Sequence, residues 1–187
     1  MCIRDSNDLV VYDSLHSNVN HPVELTRLNF PRQAGGEGLC LSDYFLPDGS
    51  SMFDILPLQV VTVGRRATEL FDELDKQGQY SEGYFLHGLA VQMAEASAEY
   101  IHRQIRAEMG IGADQGFRYS WGYPALPWLS EHRKVFDLLP VETELGMRLT
   151  SAWQMLPEQS TAAMVVHHPL AKPFDAGISR MDLLLGD

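Results

Sequence analysis

The chain has 187 residues, of which 45% are hydrophobic and 21% charged, as expected for a globular domain with one substantial core. Its formal net charge of −11 argues against a nucleic-acid-binding role, which needs a basic surface, but is compatible with a cationic ligand. Cys2 and Cys40 are too few for a disulfide framework or a four-cysteine zinc site. Since the sequence has neither an apolar run of about 18 residues nor a secretory signal pattern, we expect a cytoplasmic protein.

The N-terminal third predicts short strands and turns. Residues 1–24 are polar, so we expect a poorly patterned N-terminal segment there. Residues 25–32 predict an edge strand that ends at a proline, and residues 39–45 predict a second strand. A Pro-Asp-Gly turn follows at 47–49, and the β-branched run at 58–63 predicts a buried strand.

The remaining elements mix helices and strands. Apolar spacing predicts an amphipathic helix at 66–77 and a long helix from Ser81 to about Met109. The apolar stripe of the long helix comprises Leu86, Ala90, Met93, Ser97, Ile101 and Ile105. A third helix is predicted at 131–139, and strands at 148–155 and 161–167. Without a regular strand–helix–strand rhythm, this order favours an α+β fold with a mainly antiparallel sheet.

Residues 118–127, Arg-Tyr-Ser-Trp-Gly-Tyr-Pro-Ala-Leu-Pro, combine one fixed cation, three aromatic rings, a glycine and two prolines. Proline and glycine restrict the backbone and predict a shaped loop instead of a helix or strand. Such a loop can hold a small zwitterion that has an apolar body. On this segment alone, the simpler interpretation is a proline-rich turn with buried aromatic rings.

Three other segments change that interpretation. They are Phe-Leu-His-Gly-Leu-Ala with Ala-Glu-Ala-Ser-Ala-Glu-Tyr-Ile-His inside 85–102, Gly-Met-Arg-Leu-Thr at 146–150, and His-His-Pro-Leu-Ala-Lys at 167–172. Together with residues 118–127, and in this order, they resemble the C-terminal activation domain of cobalamin-dependent methionine synthase. The resemblance extends from about residue 25 to residue 174 and rests on several spaced segments.

The resemblance implies a domain at residues 25–187, corresponding to the later portion of the activation domain, with a loose C-terminal tail from about residue 175. Residues 1–6 do not fit the family pattern, and an artefact of where the reading frame opens is one explanation of them. The family's early segment carries an aspartate for the methionine ammonium group in a tryptophan-rich context. No such segment precedes Leu25, so an incomplete site is one expectation.

The family implies a curved, mainly antiparallel β-sheet with surrounding helices. It also implies a domain that binds S-adenosylmethionine and supports reductive methylation of cob(II)alamin, and hence methionine synthesis from homocysteine. The expected partners are the cobalamin-binding domain or subunit of the synthase and a flavodoxin-type or other flavoprotein reductase. The alternative is a free-standing, non-enzymatic module that assembles with a separate cobalamin protein; a hydrolase using the histidines lacks a nucleophile–base pair.

The family pattern assigns ligand-binding roles within the 118–127 segment. Arg118 matches an arginine that holds the ligand's α-carboxylate, a role suited to a bidentate guanidinium, and a surface salt bridge is the alternative. Ser120 and Gly122 match positions whose backbone touches the nucleoside. Tyr123 matches a tyrosine beside the reacting end of the ligand, and a buried core tyrosine is the alternative.

Two further candidates lie outside that segment. Glu95 matches a glutamate of the ligand-binding face, although a solvated helix face is the simpler interpretation; Arg103 is well placed to compensate the nearby Glu99. The family usually has an aromatic residue after the lysine that follows its His-Pro turn. Here Pro173 takes that place, so the aromatic contact is lost or passes to Phe174.

His167 and His168 suggest a metal site, because histidine is a common metal ligand. Neighbouring residues of a strand point to opposite faces, so the two rings cannot easily share one ion. No carboxylate lies at a ligand-like spacing, and we therefore expect no metal.

Overall fold

The computed structural model describes residues 1–16 and 20–178, which fold as an α+β domain. The strands of the described residues are β1 (Cys2–Asp5), β2 (Asp8–Tyr12), β3 (Glu24–Asn29), β4 (Leu58–Thr62), β5 (Phe117–Ser120), β6 (Arg148–Leu149), β7 (Met155–Leu156) and β8 (Ser160–Val166). The α-helices are α1 (Arg65–Lys76), α2 (Tyr80–Met109), α3 (His132–Leu138) and α4 (Val141–Glu144).

All of the strand pairs are antiparallel, which confirms the predicted fold class. The strands form two three-stranded sheets, ordered β1-β2-β3 and β4-β8-β5, and a small β6-β7 hairpin. β8 is the central strand of the second sheet, and its residues 162–166 are fully buried. Helix α2 packs against β4 and β8, so this sheet forms the platform on which the later features lie.

The first sheet corrects the expectation that residues 1–24 are poorly patterned. β1 and β2 form a hairpin in which Cys2 pairs with Val11, and Cys2 and Leu9 are completely buried. Each apolar run is too short to signal a strand by itself, but the hairpin joins the two runs into one buried face. Among the described strands, β3 pairs only with β2, which confirms the prediction of an edge strand at 25–32.

The two longest helices match the predictions closely. Gly110 ends α2 in a left-handed conformation, with φ of 65°, which a glycine adopts without strain. The buried face of α2 nevertheless differs from the predicted apolar stripe: Met93 is 51% exposed. The residues that α2 buries are Gly83, Ala90, Ala94, Ala98 and His102. Small side chains allow the helix to approach the sheet closely. The spacing of small residues, more than the spacing of apolar ones, therefore determines which face of α2 is buried.

Two predicted strands are wrong. Residues 39–45 contain a 3₁₀ helix, Leu41–Tyr44, which buries consecutive residues that a strand would send to opposite faces. Residues 148–155 are mostly a loop between β6 and β7, because the Thr150 hydroxyl accepts hydrogen bonds from the backbone N–H groups of Ala152 and Gln154. The predicted helix at 131–139 is α3, preceded by one 3₁₀ turn.

The C-terminal tail, expected to be loose from about residue 175, is hydrogen-bonded to the rest of the domain at its first two residues. The Gln33 side chain donates a hydrogen bond to the Asp175 carbonyl at 2.7 Å, and the buried Ala176 donates its N–H to the Pro124 carbonyl at 3.1 Å. The rest of the tail, from residue 179, lies outside the described residues. Among the helices described, none is long and apolar enough to cross a membrane.

The first sheet generates a stability prediction. Leu9 is fully buried, whereas Leu25, on β3, is 54% exposed. We expect Leu9→Ala to lower the free energy of unfolding by about 3 kcal/mol through loss of buried area and creation of a cavity. The control Leu25→Ala should change it by less than about 0.5 kcal/mol. Urea denaturation followed by circular dichroism measures both, and equal effects would contradict a core built partly from β2.

Candidate functional site

A cleft of about 460 Å³ lies between β5, the middle of α2 and the segment 173–175. Five of the six predicted site residues line it: Glu95, Arg118, Ser120, Tyr123 and Phe174. They come from three separate parts of the chain, and the fold brings them to one surface. A volume of this size is ordinary for a small-molecule site.

Arg118 is the central cation of this cleft. It lies on β5 opposite Val165 of the buried strand β8, which fixes the position of its backbone. Its Nη2 donates a hydrogen bond to Glu95 Oε2 at 3.1 Å. Its Nη1 is buried and has no hydrogen-bond partner among the described residues. One edge of the guanidinium is therefore paired with Glu95, and its other terminal nitrogen keeps unused hydrogen-bonding capacity.

Glu95 is held at the cleft by the packing of α2. Its neighbour Ala94 and the next-turn Ala98 are buried against the sheet, and this orientation turns Glu95 towards β5. Glu95 is exposed, as on a solvated helix face, and it also forms an ion pair with Arg118. Glu99 is compensated by Arg103 at 3.3 Å, as predicted.

His102 lies about two turns after Glu95 along α2, with only 3% of its surface exposed. Burial lowers the pKa of His102, and the positive charges of Arg106 and Arg118 lower it further, against the opposing effect of Glu99. The imidazole is therefore neutral at neutral pH. As a result, it adds no second positive charge beside Arg118.

The predicted loop at 118–127 begins later than expected, since Arg118 and Ser120 belong to β5. The turn that follows depends on Gly122, whose φ is 86° and whose N–H donates to the Leu126 carbonyl at 2.7 Å. A Cβ at this position would lie 3.0 Å from a methyl carbon of Leu129. Gly122 shapes the turn but, unlike the other five candidates, does not line the cleft.

Tyr123 follows this turn and is 62% exposed at the edge of the cleft. The alternative interpretation, a buried core tyrosine, is therefore wrong. The exposed ring is instead available to a molecule in the cleft.

The C-terminal wall of the cleft is a segment that we call the strap, residues 172–176. The Tyr119 hydroxyl donates to the Lys172 carbonyl at 2.7 Å, and Lys172 Nζ pairs with Glu37 at 2.7 Å. Burial raises the pKa of Tyr119, which keeps its hydroxyl a proton donor. These contacts place Pro173 and Phe174 in the wall, so an aromatic ring reaches the cleft one residue later than in the family pattern.

Sequence reasoning missed the residues that hold the strap. Tyr119 lies inside the 118–127 segment, but its hydrogen bond spans 53 residues and has no local signal. Gln33 and Glu37 belong to a glycine-rich loop at 33–38, where no local sequence pattern signals their contacts with the strap. Their partners lie more than a hundred residues away in sequence, so only the folded chain reveals the role of this loop.

The two histidines contact different partners. His167 Nε2 is 2.8 Å from Asp54 Oδ1, whereas the His168 ring lies against Tyr44 with ring centroids 5.5 Å apart. No group of three or more histidine, cysteine, aspartate or glutamate side chains in the described part of the chain is arranged to hold a metal ion. His167 therefore contributes an ion pair that ties β8 to the loop before β4.

The fold and the cleft together define a domain of the α+β class with a cleft of the size that small-molecule sites have. A family model described as vitamin B12 dependent methionine synthase, activation domain, matches residues 2–184. The chain therefore belongs to the family of activation domains of vitamin B12-dependent methionine synthases.

Curated relatives are similar over most of this chain. It is 35% identical over 196 residues to the methionine synthase of Mycobacterium tuberculosis (strain ATCC 25618 / H37Rv). It is 33% identical over 196 residues to that of Mycobacterium leprae (strain TN). Each alignment covers 92% of this chain but only 16% of the relative. The chain thus corresponds to a small part of these larger proteins.

A solved structure supports the same assignment. The crystal structure of the MetH reactivation domain bound to AdoHcy matches with a TM-score of 0.83 and 26% sequence identity. The match covers 99% of this chain and 61% of that chain. The likeness therefore includes the N-terminal hairpin as well as the sheet that carries the cleft.

The His167–Asp54 pair predicts a pH-dependent stability. The hydrogen bond with Asp54 raises the pKa of His167 above its usual 6.5. Burial opposes ionisation of Asp54, but hydrogen bonds from His167 and two backbone N–H groups outweigh it and lower the pKa of Asp54. The stabilisation is thus fully present below the usual histidine pKa while Asp54 is ionised, and is lost as pH rises through the raised pKa.

We therefore expect His167→Gln to destabilise the protein more at about pH 5.5 than at about pH 9. Urea denaturation at the two pH values measures the difference. His168→Gln is the matched control, because the His168 ring accepts a hydrogen bond from the Leu170 N–H and does not pair with Asp54. The same loss of stability at both pH values for His167→Gln would show that the ion pair contributes no charge-dependent stability.

Proposed function

We propose that this chain binds S-adenosylmethionine in the cleft and presents its methyl group for reductive methylation of cob(II)alamin in a cobalamin-dependent methionine synthase. The observation that carries the proposal is the pairing of Arg118 with Glu95 beside a buried, unpartnered Arg118 Nη1. A cation and an anion side by side match the charges of an α-amino acid group. Support also comes from the solved neighbour, whose ligand AdoHcy is the product left when S-adenosylmethionine loses its methyl group.

The chemistry of each part of the ligand fits a residue of the cleft. The α-carboxylate accepts a charge-assisted hydrogen bond from Arg118, and the α-ammonium donates to the Glu95 carboxylate. The nucleoside lies along the backbone near Ser120. Tyr123 and Phe174 offer aromatic faces, which tolerate the positively charged sulfonium.

The residues described here bind and orient, and none needs to act as an acid or a base. Transfer of a methyl group rewards alignment of the donor carbon with the incoming nucleophile, so orientation is a catalytic contribution. Cobalamin, carried by another domain or subunit, supplies the methyl-accepting chemistry when bound. Methyl transfer to cob(II)alamin also requires one electron, for which a flavodoxin-type or other flavoprotein reductase is the proposed source.

The proposed setting is the cytoplasm, as part of a synthase that forms methionine from homocysteine. The cobalamin-binding domain would meet this chain at the open side of the cleft, where Tyr123 is exposed. The two domains need to be in contact only during reactivation. Docking would therefore be a change in the populations of two conformations of the larger protein.

Replacing the central cation tests the proposed binding mode. We expect Arg118→Ala to weaken binding of S-adenosylmethionine about tenfold to a hundredfold, because the ligand carboxylate loses a charge-assisted hydrogen bond. Isothermal titration calorimetry on the folded chain measures the dissociation constant. Arg103→Ala is the matched control, since Arg103 also pairs with a glutamate of α2 but lies outside the cleft. Unchanged affinity in folded Arg118→Ala would remove Arg118 from the site.

The strap provides a second test. Tyr119→Phe removes the hydroxyl that holds the Lys172 carbonyl but keeps the ring in the wall. We expect S-adenosylmethionine to bind about threefold to tenfold more weakly, mainly through faster dissociation, because the strap no longer stays closed on the ligand. Stopped-flow fluorescence measures the rate. Tyr100→Phe, at a 62% exposed position on α2 outside the cleft, is the control. Identical dissociation rates for the two variants would exclude this role for Tyr119.

A further inference from the structure

A second groove lies along the other edge of the β4-β8-β5 sheet, away from the cleft. Its volume is about 530 Å³, and it runs between β4, the C-terminal half of α2 and residues 139–145. The apolar side chains that line it include Leu58, Val60, Ile101, Ile105, Leu139 and Val141. We call it the β4 groove.

The backbone of β4 is unpaired on the side opposite β8. At its two ends, the Pro57 carbonyl accepts a hydrogen bond from β8 at 3.0 Å, and the Val63 N–H donates to residue 159 at 3.1 Å. Successive residues of an antiparallel strand alternate the direction of these groups. Leu58, Val60 and Thr62 therefore point their N–H and C=O groups away from β8, and none of these groups bonds to another strand among the described residues.

The composition of β4 leaves this edge unprotected. Its sequence, Leu-Gln-Val-Val-Thr, has no charge and no proline, the features with which proteins usually block pairing at a sheet edge. Apolar residues flank the edge on both sides. An extended chain placed here would complete the hydrogen bonds of β4 and bury its own apolar side chains against the groove walls.

We propose that the β4 groove binds an extended segment of another polypeptide, which pairs with β4 as an added strand and carries lysine or arginine beside its apolar residues. The charge of the groove points to that chemistry. Glu108 and Glu144 line it, and the described lining includes no basic side chain. The C-terminal end of α2, at Met109, adds partial negative charge near Glu108.

Gln59 lines the groove but is only 3% exposed, and its Nε2 donates to the Ala98 carbonyl of α2 at 3.2 Å. The acceptors open to an incoming segment are instead the outward carbonyls of β4 and the exposed carboxylates of Glu108 and Glu144. The groove thus offers backbone pairing, an apolar surface and acceptors, which together suit a basic, extended peptide.

A second copy of this chain suits the groove less well. Pairing two β4 edges would bring Glu108 and Glu144 of both copies to one interface, and each chain already carries a net charge of −11. The β4 groove and the ligand cleft lie at opposite edges of one sheet, so occupancy of the groove leaves Arg118 accessible. Peptide binding in the β4 groove is therefore independent of ligand binding in the cleft.

The test uses the whole chain and a fluorescein-labelled peptide, Lys-Thr-Val-Thr-Val-Thr-Lys, with fluorescence anisotropy as the readout. We expect saturable binding that weakens at least about tenfold in Val60→Pro, which removes an outward N–H and obstructs the added strand. Proline is tolerated at such an edge position, and circular dichroism checks that the variant is folded. Val60→Thr, which keeps the N–H and nearly the same shape, is the control and should bind the peptide as the wild type does.

A charge reversal keeps the test decisive if Val60→Pro does not fold. The double variant Glu108→Lys, Glu144→Lys should lose affinity for the lysine-ended peptide and gain affinity for the same peptide with glutamate ends. Absence of saturable binding up to about 1 mM peptide, or unaltered binding by these variants, would overturn the proposal. A dimer in sedimentation analysis that Val60→Pro disperses would overturn it in favour of a second copy.

Discussion

The burial of strand β8 is the constraint on which the rest of the structure depends. Its residues 162–166 have almost no solvent exposure, and it pairs on one side with β4 and on the other with β5. Its register with β5 places Arg118 opposite Val165 and Ser120 opposite Ala163, so the most buried strand of the sheet fixes the backbone positions of these two cleft residues. Sites built on such strands are positioned more accurately than sites carried by loops.

Helix α2 packs against the sheet that contains β8, and this packing positions Glu95, the anion of the site. Ala90, Ala94 and Ala98 pack against the sheet, where β8 contributes the equally small Ala163. Larger residues on either surface would move the helix outward and separate Glu95 from Arg118. The ion pair at 3.1 Å therefore depends on the small side chains that set the distance between α2 and the sheet. In this domain, core packing determines where the charges of the site lie.

Periodicity in the sequence was sufficient for α1, α2 and β8, because each is long and its pattern repeats. It failed for the β1-β2 hairpin, where two short runs acquire an apolar face only by pairing, and for residues 39–45, where a 3₁₀ turn buries consecutive side chains. The site residues could be predicted only from the resemblance to a known family. No local sequence pattern indicates that Glu95 contacts Arg118, which lies 23 positions away. The strap stayed hidden because its partners, Glu37 and Lys172, are 135 positions apart.

The Arg118–Glu95 pair also indicates which ligands the cleft favours. Glu95 is 47% exposed, so the pair is screened by water and contributes no more than about 1 kcal/mol. A ligand carrying only an anion could occupy Arg118, but it would place its charge next to the Glu95 carboxylate and be repelled. In the proposed binding mode a zwitterion would avoid that cost, because its carboxylate would meet Arg118 while its ammonium would meet Glu95, and every charge would keep an opposite neighbour. Selectivity for an amino-acid group would then follow from a charge pair that is already formed before the ligand arrives.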